Sequence, residues 1–418
     1  MRAIGFYSYI LYNISYFLHL SARISVLGQI RFDLLLVLLI FFCLPFSLKN
    51  NCKPPQIEII KSFKILCFYI IFSLPLVKWP GSVIRFGFET YLKAIIFFIF
   101  TISFITSTRK LNIFLHVFLG CQLFRILEPF YLHLTEGYWG SAAYSMTGGS
   151  LSHLNRLSSA PYDVLNPTQF AGLIVTIFPY LYFLIWEDAN RIYKLFFILL
   201  CPIILYVLLL TGARSGVICL FVVLLTIFLS KNDWKVNKKG IIFFTISTIV
   251  IFAIISSLLS PDFKERYLSI IDSSAKGHDT ATGRLNGLKN GIKDLIHVRA
   301  VLGYGLGTSE EANYHTTGDT GRDHSLYLEA IQEIGIVGLI LFFKLIQSIF
   351  KSLAKARKKL QEEFFECKWI LNLAKAIQAW ATMFLVYSII CFGLSSWEWY
   401  FFASLSALCQ IYSEKKLC

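Results

Sequence analysis

Charge is scarce in this chain: 15% of its 418 residues are Asp, Glu, Lys or Arg, against about 25% in an ordinary soluble domain. That shortage excludes a soluble enzyme and a disordered tail protein. Cysteine is present ten times, but never in the segments expected outside the membrane, so no disulfide framework is implied. There is no internal repeat and no low-complexity tract. Four of the eight histidines (His278, His297, His315, His324) crowd one segment, yet their spacings match no compact metal motif, and no metal or cofactor is expected. What the chain has instead is apolar surface: 56% of residues are hydrophobic and the mean hydropathy is +0.63.

At roughly 20 apolar residues per helical span, this composition predicts an all-α polytopic membrane protein. Twelve candidate helices follow: 3–20, 32–48, 62–77, 89–106, 112–134, 169–186, 193–210, 213–230, 241–259, 332–350, 371–393 and 399–412. The first is diluted by Tyr7, Ser8, Tyr12, Asn13 and Ser15, so an interfacial or signal-like segment is the other reading of it. The expected organisation is helices 1–9 over residues 1–259, a long outside loop over 260–331, and helices 10–12 with a cytoplasmic tail over 332–418.

Orientation follows from where the basic residues stand. With the N-terminus inside, the cytoplasmic segments hold 21 Lys and Arg and the short outside loops hold 6. The formal charge of +14 is therefore mostly topological, since the cytoplasmic segments alone carry +13 and the long outside loop carries −2. Bulk basicity gives no reason to expect a nucleic-acid partner; the expected surroundings are membrane lipids.

The polar chemistry is concentrated outside. In 280–301, Thr282 stands as an N-cap, and Leu285, Leu288, Ile292 and Leu295 recur at helical spacing. Either this is an amphipathic helix lying on the membrane interface, or Arg284 near its start meets an anionic headgroup, for which a planar guanidinium is suited. The run Gly303-Tyr304-Gly305-Leu306-Gly307-Thr308 lacks the Lys-Ser/Thr of a phosphate loop and reads as a tight turn. Asp323 is placed to cap the following helix, with His324 in its first turn, either solvated or ready to take a proton from a sugar hydroxyl.

In the turn Thr211-Gly212-Ala213-Arg214-Ser215-Gly216, Arg214 either snorkels to the interface or adds to a helix N-terminus as an anion-binding corner. Glu89 with Lys93, and Arg125 with Glu128, have the spacing for pairs along one helix face. The cluster Trp397-Glu398-Trp399-Tyr400 reads as an aromatic belt at the outer surface.

Taken together, these residues resemble the O-antigen ligase and polymerase superfamily of bacterial envelope glycosyltransferases. His324-Ser325, nine residues, then Gly335-Ile336-Val337-Gly338 is similar to one family element, and Arg284-Leu285-Asn286-Gly287-Leu288 to another. The turn around Arg214 and the 303–307 run resemble the same family, as do, more loosely, Trp79-Pro80-Gly81 and Leu165-Asn166-Pro167-Thr168. In that last element Thr168 departs from the family's Asn.

The resemblance implies a GT-C-like, metal-independent transferase in the bacterial inner membrane, with its active site facing the periplasm. Its donor would be a glycan on undecaprenyl diphosphate, and its acceptor a sugar of lipid A–core or another glycan. By the family pattern, Arg214 and Arg284 would hold the diphosphate and His324 would act on the acceptor hydroxyl, making these three the expected catalytic residues. Arg322 and Arg156 join Arg214 and Arg284 as expected substrate-binding residues. Two guanidinium groups in a low-dielectric pocket can do the neutralising that a divalent cation does elsewhere.

Ligation of O-antigen to lipid A–core is the favoured activity, and polymerisation of lipid-linked repeat units is the alternative. A secondary transporter stands further off. Such proteins commonly have two related halves around a midplane site, whereas here the polar residues gather in one outside loop.

Overall fold

A computed structural model describes residues 1–48, 57–140, 156–163, 165–187, 191–231, 242, 261–268, 301–318, 325–362, 368–391 and 393–415. Among them there is no strand. The α-helices of eight residues or more are α1 (Arg2–Leu18), α2 (Phe32–Leu48), α3 (Glu58–Ser73), α4 (Phe88–Phe104), α5 (Thr108–Glu136), α6 (Pro167–Tyr180), α7 (Arg191–Leu210) and α8 (Arg214–Lys231). They continue with α9 (Pro261–Leu268), α10 (Ser309–Thr317), α11 (Leu326–Glu362), α12 (Lys368–Tyr387) and α13 (Trp397–Lys415). Eleven of the twelve expected spans fall on these helices; the ninth, 241–259, lies outside the described residues except for Ile242. Among the described residues, six helical segments are long and apolar enough to cross a membrane: Glu58–Leu76, Thr108–Glu136, Pro167–Trp186, Arg191–Leu210, Leu326–Glu362 and Lys368–Tyr387.

The chain divides into two compact units, one of residues 1–50 and 106–279, the other of 51–105 and 280–418. In the first, α1 packs on α2 and α5, while α6 packs on α5 and α8. Tyr9 of α1 stacks on Phe114 of α5, ring centroids 5.4 Å apart, and Phe17, two turns further along α1, meets Phe118, one turn further along α5, edge-on. The Asn166-Pro167 element has a plain local cause. Asn166 accepts from Thr168 and Gln169 backbone N–H while Gln169 answers the Asn166 N–H, closing a capping box over α6 with Pro167 at its first turn.

Charges inside this unit pair differently from the helix-face expectation. Arg125 and Glu128 do not pair with each other: Arg125 binds Asp163 (Nη2–Oδ2 2.7 Å), and Glu128 takes both terminal nitrogens of Arg23. Partners arriving from other segments offer two-point, partly buried contacts, which a pair three residues apart on one helix does not match. In the second unit Glu89 and Lys93 do pair, at 2.7 Å, on an exposed face.

In the second unit, α11 packs on α3, α12 and α13, and α13 packs on α4. Trp399 and Tyr400 are fully buried, which corrects the reading of the 397–400 cluster as an outer belt. Trp399 lies edge-on to Phe342 and Phe384, and Tyr400 packs against Phe63 and Tyr91. Buried Ala403, Ser404, Ser406 and Ala407 on the following turns keep the helix slim enough for close neighbours.

Helix α11 is broken at Gly335, where φ is 68° and ψ −177°, a conformation essentially confined to glycine. The break leaves the carbonyls of the preceding turn without helical donors. They are met from elsewhere: Gln332 O accepts from Tyr304 N (2.7 Å) and Glu333 O from Gly305 N (2.9 Å), and Ile334 O accepts from Tyr69 Oη (2.8 Å). The glycine run 303–307 is thus the C-terminal cap of the short arm Leu326–Ile334. A Cβ on Gly303 would lie 2.6 Å from Glu333 O, and one on Gly307 2.6 Å from Gly87 Cα, so the close backbone approach requires glycine there.

Candidate functional site

The expected residues Arg156 and Arg214 come together in the first unit, at the turn between α7 and α8. Helix α7 is followed by β-branched Thr211, whose hydroxyl donates back to Leu208 O (2.6 Å) and accepts from Ala213 N (3.1 Å). Gly212 then takes a positive φ of 58°, and Arg214 opens α8. Gly216 lets α8 sit close, since a Cβ there would be 2.7 Å from Ala171 Cβ of α6 and 2.9 Å from Leu208.

The carbonyl ends of α7 draw donors from two other segments, 156–157 and α9. Arg156 Nε donates to Thr211 O (2.8 Å), and Arg266 Nε, from α9, donates to Gly212 O (2.7 Å). Tyr267 Oη donates to Leu209 O (2.9 Å), and Leu157 N to Leu210 O (2.9 Å). Burial pushes the Tyr267 pKa well up, so this hydroxyl keeps its proton and remains a donor. Phe263 of α9 stacks on Trp139, centroids 6.2 Å apart, and Trp139 meets His133 of α5. A Cβ on Gly212 would stand 3.2–3.3 Å from Phe263, Arg156 and Arg266 at once, a measure of how closely the three converge.

Three half-buried arginines therefore attend a turn of six residues, Arg156, Arg214 and Arg266. Cations suit the carbonyl end of α7, and the start of α8 adds partial positive charge of its own. Chemically, such a corner favours a multiply charged anion whose oxygens accept from planar forks.

Arg266 and Tyr267 escaped the sequence reading. Neither belongs to a recognisable motif; the single available signal was a Lys/Arg-bearing octet just beyond Pro261. Arg284, Arg322 and His324 lie outside the described residues, as do the expected Thr282 cap and the Asp323 cap. Of the four crowded histidines only His315 is described. It stacks on Trp79 at 5.4 Å, and Trp79 stacks on Tyr304 at 5.0 Å. Among the described residues no group of three His, Cys, Asp or Glu could hold a metal ion.

The family model for O-Antigen ligase matches residues 195–343. The match shows the resemblance to the O-antigen ligase superfamily. It spans Arg214, Arg284, Arg322 and His324, and it takes in Arg266; Arg156 precedes it. No curated protein matches the chain. The O-antigen ligase match supports a ligase-like glycosyl-transfer role, and with the apolar helices it supports a multi-pass bacterial membrane protein.

Proposed function

We propose that this protein transfers a glycan from undecaprenyl diphosphate to a sugar hydroxyl on the periplasmic face of the inner membrane, joining O-antigen to lipid A–core. The observation that carries the reading is the convergence of Arg156, Arg214 and Arg266 on one turn inside a segment that matches O-antigen ligase. In this reading Arg214 and Arg284 bind the diphosphate, with Arg156, Arg266 and Arg322 adding charge. His324 accepts the proton of the acceptor hydroxyl. The acceptor oxygen forms a bond to the sugar's anomeric carbon, the bond from that carbon to the diphosphate oxygen breaks, and the diphosphate leaves as an anion. Because guanidinium groups neutralise that leaving group, the reaction proceeds without a divalent metal.

The test is transfer by the purified protein from a purified lipid-diphosphate glycan, offered lipid A–core or a second lipid-linked repeat unit as acceptor, with and without EDTA. Product on lipid A–core, unaffected by chelation, is expected. Product on the repeat unit alone identifies a polymerase, and activity restored only by added metal overturns the arginine mechanism. Arg284→Ala should abolish transfer in protein that is still inserted. His324→Ala should abolish it while donor binding survives.

A further inference from the structure

Arg125, on the apolar helix α5 where an ionised group is costly, forms a buried ion pair with Asp163, the two being 7% and 3% exposed. A buried pair of this kind adds little stability over an apolar pair of the same size, so its value lies in geometry. Arg125 Nε and Nη2 both reach Asp163 Oδ2, at 2.8 and 2.7 Å, and Nη1 donates to Gln122 Oε1 at 3.2 Å. The guanidinium plane is thereby fixed at three points, two on Asp163 and one on Gln122 of α5. His19 Nε2 approaches the other carboxylate oxygen, at 3.9 Å.

From Asp163 back to Arg156, the chain is a strap tied at nearly every residue. Tyr162 is held at a φ of 69°, a left-handed conformation rare for a bulky residue, which persists only where its surroundings impose it. Asp163 N donates to Ala160 O (3.1 Å), and Ser159 Oγ donates to Asp163 O (2.7 Å). Tyr138 Oη donates to Ser159 O (3.1 Å), Ser158 N to Trp139 O and Leu157 N to Leu210 O (both 2.9 Å). The strap ends in Arg156, on the Thr211 carbonyl.

We propose that Asp163 is a positioning residue for donor binding: anchored by Arg125, it fixes the strap that sets Arg156 at the arginine turn. This rests on the reading of that turn as the site for the donor's diphosphate.

The experiment uses the full-length purified protein in lipid nanodiscs, a lipid-diphosphate glycan donor and a saturating acceptor. Asp163→Asn keeps the shape and removes the charge, and should raise the donor KM about tenfold, since small misplacements of binding groups have effects of that size or larger. The kcat should change less than the donor KM, the acceptor KM should hold, and Asp163→Glu should recover part of the loss. Should Asp163→Asn fail to insert, Tyr138→Phe decides, because it loosens only the middle of the strap; it should raise the donor KM by a smaller factor.

A wild-type donor KM in inserted Asp163→Asn, or in Tyr138→Phe where that variant decides, overturns the proposal. Arg214→Ala serves as the control. An unchanged donor KM there means that the arginine turn does not bind the donor, whereas a raised one beside an unaffected Asp163→Asn means that only the strap's role is wrong.

Discussion

Each compact unit contains a glycine turn, and the two are closed by opposite means. At Thr211–Gly216 the carbonyls of Thr211 and Gly212 go to side chains, and guanidinium groups close the turn from the strap and α9, beside a phenol on the Leu209 carbonyl just before it. At Gly303–Gly307 the backbone closes on backbone: the Tyr304 and Gly305 N–H groups go to the Gln332 and Glu333 carbonyls. A phosphate cradle needs N–H groups that face a ligand, so a glycine run whose N–H groups already cap a helix is a joint. The turn with fewer glycines carries the charge, and the glycine-rich one carries the load.

Gly335→Ala should have the largest effect. Its Cβ would lie 2.2 Å from Val301 O at a φ of +68°, costing about 3 kcal/mol or more. Insertion yield and thermal unfolding should both fall sharply, and a wild-type melting temperature would remove the claim that this turn is mechanical.

Next is Arg266→Ala. Transfer should fall about 100–1,000-fold per folded molecule, the scale of losing one electrostatic donor at a reacting anion, with only a small change in melting. Arg266→Lys should restore little, lacking the planar fork. Loss of stability with full activity would make the two turns alike.

Tyr267→Phe should cost about 1 kcal/mol of stability. Since burial holds the folded pKa above the ordinary value of about 10, that tyrosine's contribution is complete below about pH 10 and declines as pH rises further. Melting curves of both proteins across that range check it.

Lys78→Ala should matter least. The ammonium lies 4.7 Å from the Trp79 ring centroid and 5.2 Å from that of Tyr304, but it is exposed, where such contacts are worth about 0.5–1 kcal/mol.

Hydropathy located the helices well because apolar length alone fixes where a helix is affordable. Pairing was another matter. Spacing put Arg125 and Glu128 on one face, but the sequence carries no sign that Asp163 and Arg23 come from segments 38 and 105 residues away. Trp399 and Tyr400 read as interfacial because their composition is that of an interface, and only the packing of Phe342, Phe384, Phe63 and Tyr91 around them removes them from it. Arg214 and Arg156 were named in advance, the first from its turn, and the structure sets both at that turn. Arg266 was not, since a lone arginine on a short helix declares nothing until its carbonyl partner is known. The family element ending in Gly335-Ile336-Val337-Gly338 was legible as a pattern, while the reason for Gly335 required the contact with Val301 and Gly303.

The break in α11 also bears on how the protein is made. A helix interrupted beside a membrane exposes carbonyls that lipid cannot satisfy. Here the donors that meet them among the described residues, on Tyr69, Tyr304 and Gly305, precede the break in the chain. A ribosome working from the N-terminus has therefore already delivered the cap when Gly335 emerges, and the joint can close as soon as it is synthesised.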